Sequence, residues 1–467
     1  MGEQATAVLD VGKTLTKLSL WAADGRLVAH GSRPNERIDV GLDAGGIEKF
    51  VAESLESFAR RADVGAIIPV GHGAAAVVLD ENGLVLPPLD YEHPIPAAIR
   101  AAYNKQRDPF ALTGSPELPD GLNLGAQLFF LESLQPGLLS GHRRIVPWAQ
   151  YWSWLLSGVA ASEVTSLGCH TDLWHPLARA PSQLAIKRGW SEHFAPLRDA
   201  GAVLGTLRSN WAERTGLPPS VRVHCGLHDS NAALVAARAS AEIAGQEATV
   251  LSTGTWFVAM RTPGRGEQVS MASLDEKRDC LVNVDVGGNP VPSARFMGGR
   301  EIELLTGLNT RGIDVVPEQP ALLARVPDVL ANKAMVLPTF APGCGPLPRS
   351  RGRWISMPGD EMRRRTAVAL YAALVSDVAL ELIGARERLL IEGRFSESQV
   401  FIRALAALRP DMRVYVSHPR SDVSFGALSL TDPGRESPSA LVRVEPLAED
   451  LTEYRQQWRL EAERFNK

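Results

Sequence analysis

Thr6-Ala-Val-Leu-Asp10-Val-Gly12-Lys13-Thr14 is the stretch on which the fold turns, because its plan recurs at Ala248-Thr-Val-Leu-Ser252-Thr-Gly254-Thr255. Each time an apolar run ends in a polar residue, glycine follows two positions later, and threonine lies just beyond. Both read as a strand, a tight glycine turn and a second strand, which resumes at Leu18-Ser-Leu20-Trp21 and at Trp256-Phe-Val258. A plan used twice points to a duplicated chain with two α/β halves. Two unrelated strand–turn–strand units are the plainer alternative.

Outward from the first turn, Asp24-Gly25 is a hairpin signal, and Ile47, Phe50, Val51, Leu55 and Phe58 share one face of a helix expected over 46–61. A buried strand over 66–70 ends at Gly71-His72-Gly73, and a hairpin pairs 76–79 with 84–86. A mainly helical region spans 121–158, a strand over 221–225 closes at Gly226, and a helix covers 230–241. In the second half a long helix is expected over 358–389, leading to a strand at Leu389-Leu-Ile391 that runs into Gly393. Strands alternating with helices indicate layered α/β domains. At 467 residues the chain exceeds one core, and two domains are expected, 1–236 and 237–467.

Composition excludes several classes. With 45% apolar and 22% charged residues the chain is of ordinary globular type, and its net charge of −4 offers no footprint for nucleic acid. Cys169, Cys225, Cys280 and Cys344 form no C-x-x-C pair, so reduced, mostly buried thiols in a cytoplasmic setting are expected. The opening Met1-Gly-Glu-Gln-Ala-Thr6 matches the loose myristoylation pattern, but no basic patch supplies a second anchor and Thr6 opens a strand. The most apolar helical stretch, 367–385, carries Asp377 and Glu381 and reads as a core helix, so no membrane partner is expected.

Several segments carry candidate chemistry. In Asp10-Val-Gly12-Lys13-Thr14, glycine lets the backbone approach an anion, Thr14 can donate to phosphate, Lys13 or Lys17 can offset charge, and Asp10 can hold Mg²⁺ through water. Ser252-Thr253-Gly254-Thr255 is a second hydroxyl-rich turn of that design; a plain hairpin is the alternative for either alone. Asp229, in Gly226-Leu-His228-Asp229-Ser230, is either a base that accepts a proton from an attacking hydroxyl or an N-cap. His72, at a strand end, is a ligand contact or a satisfied buried histidine. Trp148, Trp152, Trp154 and Trp174 form a platform under a sugar ring or fill a core. His224, His228 and Asp229, with His170 and Asp172, raise a metal-dependent hydrolase, against which His224 falls on a strand and not on a helix.

Taken in order, these segments resemble the FGGY carbohydrate kinase family, its rhamnulokinase and fuculokinase branch in particular. Asp10-Val-Gly-Lys-Thr14 is similar to its first phosphate turn, Gly71-His-Gly73 to its sugar-contacting strand end, and Leu155-Leu-Ser-Gly158 to its L-T-G turn. Gly226-x-His-Asp229 is similar to the G-x-x-D segment, Ser252-Thr-Gly-Thr-Trp256 to S-x-G-T-W, Ile391-Glu-Gly393 to the Gly-Gly nucleotide turn, and Phe425-Gly-Ala427 to the terminal G-A helix start. Three departures stand out: Lys13 where threonine is usual, Glu392 where glycine is usual, and Leu89-Asp90-Tyr91-Glu92-His93 without the arginine of W-x-D-x-R.

The resemblance implies two ribonuclease-H-like domains of actin and hexokinase type with a cleft between them. It implies an ATP- and Mg²⁺-dependent sugar kinase with Asp229 as base. The sugar would lie near His72, Gly73, Asp90, Glu92, Trp148 and His228. The nucleotide would be held by Asp10, Gly12, Lys13, Thr14, Lys17, Thr253, Gly254, Thr255 and Gly393, and the metal by Asp10. The expected partner is a small sugar, with a homodimer left open as the assembly. The alternatives are an inactive sugar- or nucleotide-binding protein on the same fold and the metal-dependent hydrolase.

Overall fold

The computed structural model describes residues 4–39, 41–310, 318–417, 423–432 and 440–464; the Gly2 of the myristoylation pattern lies outside them. The chain forms two compact units that are not continuous in sequence. The first comprises Met1–Ala236, Val282–Pro290 and Ser421–Pro438, and the second Ala237–Leu281, Val291–Arg420 and Ser439–Lys467.

In the first unit, Ala5–Val11 (β1) and Leu15–Trp21 (β2) pair antiparallel around Gly12, and Leu27–Pro34 (β3) extends the sheet. Helix α1 (Ala44–Ala59) begins two residues before the expected position, because the Asp43 side chain accepts from Gly46 N–H and caps it there. Its Ile47, Val51, Leu55 and Phe58 are buried as the periodicity requires. Val64–Gly71 (β4) pairs parallel with β1, which explains why both strands are apolar almost throughout. The strand at Ala76–Asp80 pairs only briefly with Gly83–Leu84; its longer partner is Arg144–Pro147, inside the region expected to be mainly helical.

Helix α2 (Trp148–Ser157) buries Trp148, Tyr151 and Trp152 against this sheet. Beyond it lie Val203–Thr206 (β5), Arg222–His224 (β6), Leu227–His228 (β7) and helix α3 (Asp229–Arg238). The sheet order is β5-β6-β4-β1-β2-β3, and β7 returns to β4 after a kink. That kink is Gly226, with φ of +78°, where a Cβ would lie 2.1 Å from the Pro69 carbonyl oxygen. From α2, Gln150 Nε2 donates to the Gly226 carbonyl at 2.9 Å and Ser153 Oγ to the Cys225 carbonyl at 2.8 Å. The helix therefore satisfies the carbonyls that the broken strand leaves over.

The second unit repeats the plan. Ala248–Thr253 (β8) and Phe257–Thr262 (β9) pair antiparallel, Pro290–Phe296 (β10) adds to β9, and Gly298–Thr306 (α4) follows. Helix α5 (Glu361–Leu382) leads to Arg388–Gly393 (β11), which pairs parallel with β8, and Arg413–Val416 (β12) and Val442–Arg443 (β13) continue the sheet. The run β10-β9-β8-β11 thus has the directions of β3-β2-β1-β4, and the duplicated reading of the two turns holds in the topology.

Helix α5 is shorter than the periodicity suggested: Asp360 caps its start and Gly384, with φ of +66°, follows its end. Its buried Asp377 is tolerated because Arg409, Arg455 and Arg459 converge on the carboxylate at 2.7–3.0 Å. No helix among the described residues is long and apolar enough to cross a membrane. The four cysteines are free, three of them buried.

Gly226→Ala places a Cβ on the Pro69 carbonyl at a left-handed φ. We expect a loss of about 2–3 kcal/mol or more in urea denaturation, and wild-type stability would show that the kink is not fixed as described.

Candidate active site

In the first unit three parallel strand ends share one register row. Val11 of β1 stands opposite Gly71 of β4, and Gly71 opposite His228 of β7. The next residue in each strand is Gly12, His72 or Asp229, so segments far apart in sequence present their candidates together at the carboxyl ends of the strands. Open α/β sheets bind ligands at such ends.

Asp229 opens α3. Its Oδ1 accepts from Ser230 N at 2.6 Å, Ser230 Oγ at 3.2 Å and His228 Nε2 at 3.1 Å. A capping side chain would bond N–H groups two or three residues ahead, so this carboxylate is not spent as a cap. Burial alone would raise its pKa, but the His228 contact and the Ser230 N–H outweigh that and hold it below the usual carboxylate range. Asp229 is therefore ionised at neutral pH and able to accept a proton. With Nε2 donating to Asp229, His228 Nδ1 is the acceptor for Asn231 Nδ2 at 3.3 Å. His228, expected to touch substrate, is buried and bonded to Asp229 and Asn231.

Gly73 is required next to this pair, since a Cβ there would lie 2.8 Å from His228 Nε2 and 2.7 Å from Cys169 Sγ. His72 is 8% exposed, and neither ring nitrogen has a hydrogen-bond partner among the described residues. The reading of a satisfied core histidine is thereby overturned. Burial pushes its pKa down to about 4, with Asp229 and Asp90 opposing and Lys13 and His228 assisting, so the ring is neutral at pH 7. A neutral imidazole offers one donor and one acceptor, which suits a hydroxyl-rich ligand.

Other expectations are corrected. Lys13, assigned to phosphate, contacts Asp90 Oδ2, lies 3.6 Å from Glu92 Oε2 and sits 4.8 Å from the Tyr91 ring centre. It is paired with the 89–93 segment instead. Trp148 is no platform: it is 1% exposed, stacks on Tyr151 and meets Trp152 edge-on in the core, and it tilts against His72 at 6.2 Å. Asp10 is buried at the end of β1, with the exposed Lys17 directly opposite on β2.

The residues of the metal-hydrolase reading have other tasks. His224 Nδ1 donates to the Gly201 carbonyl at 2.7 Å, and Asp172 accepts from Tyr103 and Arg107. Among the described residues no group of three His, Cys, Asp or Glu side chains is arranged for a metal.

In the second unit Thr253 and Gly393 stand opposite each other at the ends of β8 and β11. The Thr253 hydroxyl donates to the Glu392 carbonyl at 2.5 Å and accepts from Phe395 N at 3.0 Å. It ties the two turns together and has no hydrogen left for a phosphate, contrary to its assignment. Gly393, with φ of +84°, approaches so closely that a Cβ would lie 2.4 Å from the Thr253 carbonyl oxygen. Gly254 and Thr255 form the bend between β8 and β9, where Gly254 N–H donates to the Trp256 carbonyl. Thr14 is exposed just beyond the Gly12 turn.

Residues 245–438 match the family model described as Carbohydrate kinase FGGY, C-terminal domain. The chain is 53% identical to a carbohydrate kinase from Novosphingobium aromaticivorans, whose crystal structure superposes with a TM-score of 0.93 over 99% of both chains. The chain belongs to the FGGY carbohydrate kinase family. It is 25% identical to the L-fuculokinase of Salmonella typhi over 285 residues, a match that spans 57% of this chain and 58% of that relative. Xylulose kinase from Rhodospirillum rubrum, at 18% identity and a TM-score of 0.79, shares the fold.

Sequence reasoning missed one buried group linked to His228. Glu163 is fully buried and accepts from Thr165 Oγ1 at 2.6 Å, and Thr165 Oγ1 accepts from His228 N at 3.1 Å. Burial pushes the Glu163 carboxyl up to about 7. Glu163-Val-Thr165 reads in sequence as an ordinary helix start, which it also is, so nothing local marks its link to His228.

His72 and Glu163 affect stability with opposite signs. Between pH 4 and 6.5 the unfolded chain binds a proton at residue 72 that the folded chain refuses, so this histidine makes stability rise with pH. Between pH 4.5 and 7 folded Glu163 keeps a proton that the unfolded chain has lost, so its contribution falls as pH rises. In urea denaturation at pH 7 and pH 5, wild type should lose more stability on acidification than His72→Gln. Equal losses would mean that His72 is not held neutral.

Proposed function

We propose that the protein is an ATP-dependent sugar kinase that moves the γ-phosphate to a hydroxyl of a small ketose or related polyol, with Asp229 as general base. The observation that carries this reading is the register row ending at Val11, Gly71 and His228, which sets an ionised Asp229 beside a neutral His72 with two unspent ring nitrogens. His72 would take sugar hydroxyls, and Asp229, oriented by His228, would receive the proton as the attacking oxygen engages phosphorus. That proton stays on the carboxylate until product leaves, so the charges balance without a further reactant.

The nucleotide is assigned to the paired turns at Gly254-Thr255 and Gly393 of the second unit, where glycine lets the backbone come close to a phosphate. Mg²⁺ suits this scheme, because the metal of a nucleotide needs only one or two carboxylates and Asp10 is a buried acid at a strand end. When bound, the ion would neutralise phosphate charge. The relatives' names favour L-fuculose, L-rhamnulose and D-xylulose as first acceptors to try.

A coupled ADP-release assay with Mg-ATP against these ketoses and simple polyols should give sugar-dependent turnover. Asp229→Asn should lower kcat about 10³-fold while Mg-ADP binding by calorimetry stays near wild type. Full activity in that variant would remove Asp229 as base, and a folded wild type that is flat on every acceptor would favour a binding protein on the same fold.

A further inference from the structure

Two of the departures from the family pattern meet in space. The Leu89–His93 segment lacks its usual arginine, and the first turn carries Lys13 where threonine is usual. Lys13 Nζ contacts Asp90 Oδ2, approaches Glu92 Oε2 at 3.6 Å and lies over the Tyr91 ring. Asp90 is 1% exposed, and its other oxygen accepts from Glu92 N–H at 2.8 Å. A carboxylate so buried needs a cation, and removing that partner would leave it uncompensated. The lysine is thus committed before any phosphate arrives.

The same cluster borders His72, whose ring stands edge-on to Tyr91 at 5.7 Å. Around His72 the charged neighbours are Asp229, Asp90 and Lys13, with His228 bonded to Asp229. Glu92 adds a further carboxylate, 63% exposed, beside Lys13. Acidic groups therefore outnumber the single lysine, which Asp90 already occupies.

We infer that Lys13 is a positioning residue of the acceptor side, fixing Asp90 and Tyr91 next to His72, and that the acceptor is an uncharged polyhydroxy compound and not a sugar acid. The lysine replaces from the turn after β1 the charge that the 89–93 segment lacks, and the carboxylates repel an anionic acceptor. The acceptor statement rests on the kinase reading above; the placement of Lys13 does not.

Calorimetry with Mg-ADP tests the placement without turnover. Lys13→Met should change the dissociation constant by no more than about twofold, and a loss of about tenfold or more would return Lys13 to the nucleotide and overturn the inference. Thermal denaturation of Lys13→Met, Asp90→Asn and the double variant is a second measure: the double variant should be no less stable than Lys13→Met alone. Strict additivity of the two losses would show that the pair does not interact.

For the acceptor, D-xylulose and L-fuculose are compared with D-gluconate in the ADP assay. The better ketose should exceed gluconate about 100-fold or more in kcat/KM. Lys13→Met should raise its KM about tenfold with kcat within about threefold, and Lys13→Arg should recover most of the loss. Gluconate as the preferred acceptor, or a loss confined to kcat, overturns the inference. Wild type inactive on these three and on the other ketoses and polyols of the panel would sink the acceptor statement together with the kinase reading, while the nucleotide and stability measurements still decide the role of Lys13.

Discussion

The parallel pairing of β4 with β1 on one side and β7 on the other is the constraint on which the rest of the site depends. It aligns Val11, Gly71 and His228 in one row, so Gly12, His72 and Asp229 emerge side by side. The row exists only because the chain breaks between β6 and β7 at Gly226, where any side chain would strike the Pro69 carbonyl. Breaking a strand leaves backbone carbonyls without ladder partners, and α2 supplies Gln150 and Ser153 to take them. That requirement places polar residues on a helix that is otherwise packed with tryptophan and tyrosine.

Around that row, buried polar groups are kept by specific partners. Asn231, His228 and Asp229 form one hydrogen-bonded chain, and the His228 backbone is held by Thr165, itself bonded to Glu163. The chain keeps Asp229 charged in a site where burial would otherwise protonate it. His72 differs in that neither of its ring nitrogens has a partner among the described residues, and burial keeps the ring neutral. Unsatisfied buried nitrogens are costly, and such groups are expected where a ligand completes them. The second unit applies the pairing rule to structure alone, with Asp377 encircled by three arginines and Glu301 bonded to Thr339, Tyr371 and the Phe340 N–H.

Three assignments made from local sequence changed for physical reasons. Lys13 follows a phosphate-type turn, but a buried Asp90 is a stronger claim on an ammonium than a turn some residues from any fixed charge. Thr253 lies in a hydroxyl-rich turn, yet the close approach of Gly393 puts the Glu392 carbonyl and Phe395 N–H within its reach. Trp148 had two open readings, and its neighbours Tyr151, stacked on it, and Trp152, edge-on to it, decide for the core. In each case the competing partner is remote in sequence.

Sequence by itself determined the repeated strand–turn–strand plan, the strands buried on both faces and the two glycine turns, because apolar periodicity and glycine are local signals of backbone geometry. It also singled out Asp229 and His72, polar residues at the ends of apolar strands. Tertiary structure alone decided which of the candidates stand together, that Gly226 turns Asp229 onto the same row as His72, that Glu163 lies behind His228, and that Lys13 belongs to Asp90. Pairing register, burial and charge compensation are properties of contacts between distant segments, and no window of sequence contains both partners.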